Sequence, residues 1–86
     1  MPSEAALFRQ IATKSAPRET RREAVRELGR LEAVTQLRTV TQTNGIHGVF
    51  RRDAIAELKK REATEALETI AQDRAVDTAI REQARI

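Results

Sequence analysis

One histidine and several regularly spaced arginines are the side chains in this sequence best suited to chemistry. His47, the only histidine, lies in segment 44–48 (NGIHG). A catalytic base needs a nucleophile and an orienting partner within hydrogen-bond reach, and the sequence places neither close to His47. The pattern favours a solvated loop residue or a helix cap over a catalytic base, and the chain is predicted not to be an enzyme.

The sequence also lacks the residue sets that hold metals and cofactors. It has no cysteine and one histidine, and its carboxylates form no metal-ligand motif. It has no glycine-rich loop of the kind that cradles phosphates. The sequence therefore predicts neither a metal site nor a bound cofactor.

Arginine recurs at every fourth position over residues 18–30, and residues four apart lie on one face of a helix. The row consists of Arg18, Arg22, Arg26 and Arg30. Such a row can contact successive phosphates of a nucleic acid. The alternative is a solvated face neutralised by neighbouring acidic residues. Three glutamates run alongside: Glu19, Glu23 and Glu27.

A second basic cluster ends another predicted helix and consists of Lys59, Lys60 and Arg61. With the arginine row, it makes a nucleic-acid-binding module the alternative function. The net charge of only +3 and the absence of Trp and Tyr argue against it, because single strands are held by aromatic stacking and basic surfaces. Nucleic acid is therefore a less expected partner than protein.

A repeat of thirty residues positions these side chains. Segment 51–58 (RRDAIAEL) resembles segment 21–28 (RREAVREL), and segment 81–84 (REQA) follows thirty residues further on. Repetition at this period is typical of stacked helical units. Three arginines share one position of the repeat, namely Arg21, Arg51 and Arg81. Repetition at a framework position favours a helix-end contact or an ion pair between units over a ligand site.

Apolar spacing and cap residues predict six short helices. Their expected spans are residues 3–13, 17–28, 33–44, 48–60, 63–72 and 77 onward. Ser3 and Asp77 are expected N-caps, Gly29 is expected to take a left-handed C-cap conformation, and Thr20 is assigned to the apolar stripe of the second helix.

Composition sets the class of protein. The 86 residues are 40% hydrophobic and 34% charged, which suits one all-α domain spanning residues 1–86 with a modest core. No apolar run has the length of a signal sequence or a membrane span. A soluble, cytoplasmic protein without membrane contact is expected.

Two stretches resemble HEAT-type repeats of the short-repeat group named after the phycobilisome lyases. They are segment 24–37 (AVRELGRLEAVTQL) and segment 77–84 (DTAIREQA). The resemblance implies an α-solenoid of about two and a half stacked HEAT-like helical hairpins and a role as a scaffold for protein–protein interaction. The family name also suggests a bilin lyase or isomerase, but no residue here supports that activity. In the family an Asp and the following Arg form a ladder along the stack. Asp77 is replaced by Pro17 and His47 in the earlier units, so a partial ladder is expected.

The resemblance also implies which surface binds a partner, because in such solenoids the first, third and fifth helices here would line the concave side. Its exposed positions are Arg9, Gln10, Thr35, Gln36, Thr39, Glu65, Glu68 and Thr69. This polar surface of mixed charge suits a protein or peptide partner.

The two ends of the chain carry apolar residues where polar caps are expected. They are Leu7, Phe8 and Ile11 at one end and Ile80, Ala84 and Ile86 at the other. Two and a half units are fewer than the usual three. We therefore expect self-association through the terminal helices or a partner bound at one end; the alternative is that the chain is a fragment of a longer array.

Overall fold

The computed structural model describes residues 3–85 and is helical throughout that range, with no strand. Its elements are α1 (Glu4–Ala12), α2 (Arg18–Arg30), α3 (Val34–Gln42), α4 (Gly48–Lys60), α5 (Thr64–Gln72) and α6 (Thr78–Ala84). The all-α class predicted from the sequence is confirmed.

The first helix begins where its cap residue predicts. The Ser3 hydroxyl accepts a hydrogen bond from the Ala6 amide at 3.1 Å, and Glu4 lies in the first turn near the positive end of the helix dipole. Asp77 occupies the N-cap position of α6, as predicted, but its side chain makes no capping hydrogen bond.

The turns after α2 and α4 have the same geometry. Behind α2, the Ala33 amide donates to the Leu28 carbonyl at 2.9 Å, and the Glu32 amide donates to the Gly29 carbonyl at 3.0 Å. Glu32 has a φ of 53°, in the left-handed region. This is a Schellman motif, with Ala33 and Leu28 both buried beside it. The same bonds recur thirty residues later, where Glu62 has a φ of 54°.

The predicted left-handed cap at Gly29 is therefore wrong. Gly29 lies inside α2 and is buried, and the left-handed residue is Glu32. A side chain at Gly29 would overlap Glu57, whose Cδ lies 2.8 Å from the position a Cβ would take. The glycine therefore allows close approach of α4 to α2. The second unit has Lys59 at this position, where no helix packs against it, and the lysine is exposed.

The three loops that precede α2, α4 and α6 share another geometry. The N-cap residues Pro17, His47 and Asp77 have φ values of −58°, −58° and −53° and ψ values of 144°, 144° and 143°. In two of these loops an apolar residue enters the core: Ile46 is 3% exposed and Val76 is 2% exposed. Both residues lie in segments predicted to be loops, and their contribution to the core is not predicted from the sequence.

Packing continues beyond sequence neighbours. Helix α2 contacts α4, which also contacts α6, while α1 contacts α3 and α3 contacts α5. The helices enclose one core whose largest fully buried side chains include Leu28, Leu37, Ile55, Leu58 and Leu67. The burial of each such side chain contributes roughly 1.5–3 kcal/mol to folding.

The apolar stripe predicted for α2 is wrong at one position. Thr20 is exposed, whereas Phe50 and Ile80 at the equivalent positions are 2% and 1% exposed. Phe50 is buried because α4 packs against α2, and the ring lies under the guanidinium of Arg21. Thr20 instead lines an open groove together with Leu7 and Gln10 of α1.

The terminal helices bury more of their apolar surface than the sequence predicts. Leu7 and Ile11 in α1 are 3% and 0% exposed, and Ile80 and Ala84 in α6 are each 1% exposed. Phe8 is partly buried against the core. Ile86 lies outside the described residues. The terminal surface expected to drive self-association is thus largely covered within one chain.

Candidate functional site

The surface predicted to bind a partner lies on α1, α3 and α5, which contact one another in that order. Seven of its eight residues are exposed, namely Arg9, Gln10, Thr35, Thr39, Glu65, Glu68 and Thr69. Gln36 is half-buried, and its repeat equivalents Leu7 and Ala66 are buried in the core. The surface carries both signs of charge and is otherwise polar.

Two threonines at equivalent positions of this surface bond to their own helices. The Thr39 hydroxyl donates to the Thr35 carbonyl at 2.9 Å, and the Thr69 hydroxyl donates to the Glu65 carbonyl at 2.9 Å. Each hydroxyl hydrogen is therefore used within the helix. What remains for a partner is a methyl group and an acceptor oxygen at each position.

The arginine row of α2 is mostly neutralised within the chain. Arg22 donates through Nε to Asp53 of α4 at 2.8 Å and through Nη2 at 3.2 Å, a bidentate pair between helices. Arg26 pairs with Glu23 at 2.9 Å, and Arg30 pairs with Glu27 at 2.8 Å. Within residues 3–85, Arg18 is the one member of the row without an ion pair.

These contacts shift the pKa values of the groups involved. Hydrogen bonds from Arg26 and Arg30 lower the pKa of Glu23, and the hydrogen bond to Asp53 raises the pKa of Arg22. The Glu23 carboxylate likewise raises the pKa of Arg26 through its hydrogen bond. The solvated, neutralised face that the sequence offered as one alternative describes this surface of α2.

The second basic cluster is gathered around one buried carboxylate. Glu57 is 7% exposed and lies 3.3 Å from Lys60 and 3.7 Å from Arg61. Arg61 also donates to the Gly29 carbonyl at the end of α2. Lys59 is exposed and lines an open cleft. Of the three residues, Arg61 joins α4 to α2 and Lys60 pairs within its own helix.

The framework arginines satisfy the ends of neighbouring helices. Arg21 donates through Nε to the Ile11 carbonyl at 2.8 Å, and Arg51 donates to the Thr41 carbonyl at 2.9 Å. Both carbonyls lie in the last turn of a helix, where they lack an intrahelical partner. The predicted helix-end contact is confirmed for these two residues. The buried Nε of Arg81 has no partner among the described residues.

His47 is a helix cap. Its Nδ1 accepts a hydrogen bond from the Val49 amide at 3.3 Å at the start of α4. Of the two structural roles predicted from the sequence, a helix cap and a solvated loop residue, this contact supports the helix cap. The ring lies edge-on to Phe50, with the centroids 6.3 Å apart. The described residues place no carboxylate or hydroxyl nucleophile against this imidazole by hydrogen bond.

The side chains that surround the framework arginines are not among the residues predicted from the sequence. Arg51 reaches Asn44 at 3.2 Å and Asp77 at 3.8 Å, so residues of two successive loops meet on one guanidinium. Alignment of the loops at the thirty-residue offset, including their polar residues, would have brought these positions together on paper.

No helix among residues 3–85 is long and apolar enough to cross a membrane. The same residues contain no group of three or more metal-ligating side chains. Comparison of the chain with protein-family models, curated proteins and solved structures finds no significant match.

Proposed function

We propose that this chain is a small non-enzymatic module for protein–protein interaction, built as an α-solenoid of about two and a half HEAT-like hairpins. The proposed binding surface is the face of α1, α3 and α5. The observation that carries the choice of a protein partner is the ion pairing on α2, since it removes the basic face that a nucleic acid would need.

Support for the stacked arrangement comes from contacts between residues one repeat apart. Gln42 donates to Asp73 at 2.9 Å, and Asn44 donates to the Ala75 carbonyl at 3.0 Å. Between α6 and α4, Gln83 donates to the Arg52 carbonyl at 3.2 Å. These bonds join residues 31 positions apart in sequence, as stacking of successive thirty-residue units would require.

Support for a protein partner comes from charge. The long-range attraction of a phosphate backbone needs cations that are not already paired. Three of the four arginines in the row Arg18, Arg22, Arg26 and Arg30 have carboxylate partners within the chain. The proposed surface on the odd-numbered helices instead has short polar side chains and both signs of charge, which is typical of the polar part of protein interfaces.

The proposal is tested by affinity capture with a matched pair of charge variants. Glu65→Arg places a cation on the proposed surface, whereas Glu82→Arg makes the same change on α6, away from it; both residues are exposed. We expect a partner captured from nuclease-treated cell extract by the native chain and by Glu82→Arg, but lost with Glu65→Arg. Equal capture by all three would place the binding surface elsewhere.

Titration with labelled duplex DNA and single-stranded RNA tests the nucleic-acid alternative. Arg18 is the most informative residue, because Arg22 holds Asp53 and its removal would also disturb that ion pair. We expect binding to be weak and lost near physiological salt. Submicromolar affinity that survives this salt and falls on Arg18→Ala, with the salt slope reduced by about one unit, would overturn the choice of a protein partner.

A further inference from the structure

The two framework arginines have the same place in the repeat but different surroundings. Arg51 is 3% exposed, and each nitrogen of its guanidinium has a polar neighbour. Nε donates to the Thr41 carbonyl at 2.9 Å, Nη2 donates to Asn44 Oδ1 at 3.2 Å, and Nη1 lies 3.8 Å from a carboxylate oxygen of Asp77. This buried cation therefore has both an amide acceptor and a counterion.

Arg21 lacks both partners. It is 8% exposed, and its Nε donates to the Ile11 carbonyl at 2.8 Å. Among residues 3–85, neither terminal nitrogen has a hydrogen-bond acceptor and no carboxylate lies within ion-pair distance. The repeat explains this difference, because the positions equivalent to Asn44 and Asp77 hold Lys14 and His47. A largely buried guanidinium without a counterion is costly.

Phe50 compensates part of this cost without using the donors. Its ring lies 4.1 Å from the Arg21 guanidinium carbon, a cation–π contact. The ring covers one face of the guanidinium, whereas the N–H groups point outward in the plane. The edge that carries the two terminal nitrogens thus stays available for bidentate bonding to an oxyanion.

These donors line an open cleft of about 460 Å³ between successive loops, which Lys14, Arg21 and His47 share with the start of α4 at Gly48. The same three residues line an adjoining cleft that also reaches Arg18. The cleft has one acidic residue, Asp77, which lies beside Arg51. The local charge is therefore positive.

We propose that this cleft binds the phosphate group of a phosphate monoester. Arg21 donates both terminal N–H groups to it and Lys14 supplies a second cation. The N-terminus of α4 adds only the partial positive charge of its helix dipole, because the Val49 and Phe50 amides already donate to His47. A monoester fits better than a diester because it carries close to two negative charges at neutral pH, which match the two cations Arg21 and Lys14. The inference does not depend on the proposed function, since the cleft lies on the loops.

The test exchanges the first unit's residues for those of the second. In the variant Lys14→Asn, His47→Asp, Arg21 regains the amide and the carboxylate that surround Arg51. Asp77 occupies the equivalent N-cap position with nearly the same backbone angles, so the variant is expected to fold, and the new ion pair with Arg21 should keep its melting temperature at or above that of the native chain. The charge-matched control is Lys59→Asn, Thr64→Asp, at the turn between α4 and α5.

Binding of inorganic phosphate and of O-phosphoserine is measured by calorimetry at constant ionic strength set with chloride, with serine as the uncharged comparison. We expect the native chain and the control to bind both phosphates and not serine, and the loop variant to bind about tenfold or more weakly, the value of one charge-assisted hydrogen bond. Unchanged binding in the loop variant would overturn the site. Tighter binding of a short oligothymidylate than of phosphoserine would overturn the assignment to monoesters.

Discussion

Helices α2 and α4 are both thirteen residues long and occupy equivalent positions of the repeat. They differ in which side chains are buried on one face. Thr20 of α2 is exposed, whereas Phe50 at the equivalent position of α4 is buried. Further along, Glu27 of α2 is partly exposed, whereas Glu57 of α4 is buried against Gly29. The difference follows the neighbours of each helix, because α4 packs against α2 and α6 whereas α2 packs against α4 alone among the even-numbered helices.

The comparison shows that repeat position alone does not determine burial. Two apolar positions are fully buried in both helices: Val25 and Leu28 in α2, and Ile55 and Leu58 in α4. The residues that differ are those that meet the preceding unit. Helix α2 has the ion-paired Glu19 and Arg26 at positions where α4 has Val49 and Ala56.

The largest expected effect comes from the position where the two helices differ most. Phe50→Ala should reduce the free energy of unfolding by about 3–5 kcal/mol, because it leaves a cavity in the core and removes the ring beneath Arg21. Thr20→Ala should change it by less than about 0.5 kcal/mol, since that side chain is exposed.

Urea denaturation followed by circular dichroism measures both variants. A comparable loss for Thr20→Ala and Phe50→Ala would show that α2 is covered on the side of Thr20 in solution, and the contrast between the helices would fail. Self-association through that side would produce such a result, and sedimentation over a wide concentration range would detect it.

Apolar residues at helical spacing were sufficient to predict the six helices. In α2 and α4 these residues also recur at the thirty-residue spacing: Val25 and Leu28 correspond to Ile55 and Leu58. It was insufficient at Gly29. A glycine near a helix end usually takes the left-handed cap position, but here Glu32 takes it and the glycine serves the contact with Glu57. A contact between residues of different helices leaves no local pattern in the sequence.

The candidate sites were predictable only in part, for a related reason. The row of arginines on α2 and the glutamates beside it are visible in the sequence, but the partner of Arg22 is Asp53, thirty-one residues away. The phosphate cleft was missed altogether. Its signal is the replacement of Asn44 and Asp77 by Lys14 and His47 in the first unit, which matters only once Arg51 is known to contact both residues.

A smaller effect is expected where Gly29 meets Glu57. In a helix interior, Gly→Ala normally stabilises by about 1 kcal/mol. Gly29→Ala should lose this gain in the native background, because the new methyl group displaces the Glu57 carboxylate from its contacts with Lys60 and Arg61. In a Glu57→Ala background the same substitution should stabilise by about 1 kcal/mol.

The four proteins form a double-mutant cycle, measured by urea denaturation. The expected coupling between residues 29 and 57 is about 1 kcal/mol or more. Lys59→Ala, at the equivalent exposed position of α4, provides the control and should show no coupling to Glu57 through packing. A coupling near zero between Gly29 and Glu57 would mean that the two helices are further apart than described.

The smallest expected effect concerns the charged flank of α2 and depends on pH. Hydrogen bonds from Arg26 and Arg30 lower the pKa of Glu23 from its ordinary value of 4.5 in the folded chain. A carboxyl whose pKa is lower in the folded than in the unfolded state stabilises the fold above its unfolded pKa, and this contribution is lost as the pH falls through the folded value. Glu23→Gln should therefore unfold at slightly lower urea than the native chain near neutral pH. This difference in midpoint should close as the pH falls below the unfolded pKa and through the lower folded pKa of Glu23. Added salt should also reduce this difference in midpoint, since these side chains are exposed.

Glu82→Gln on α6, whose carboxylate makes no ion pair among the described residues, is the matched control and should show no such difference in midpoint. A gap for Glu23→Gln that persists in acid would assign its effect to packing or helix propensity, and the ion pairs that distinguish the flank of α2 from that of α4 would then contribute nothing measurable.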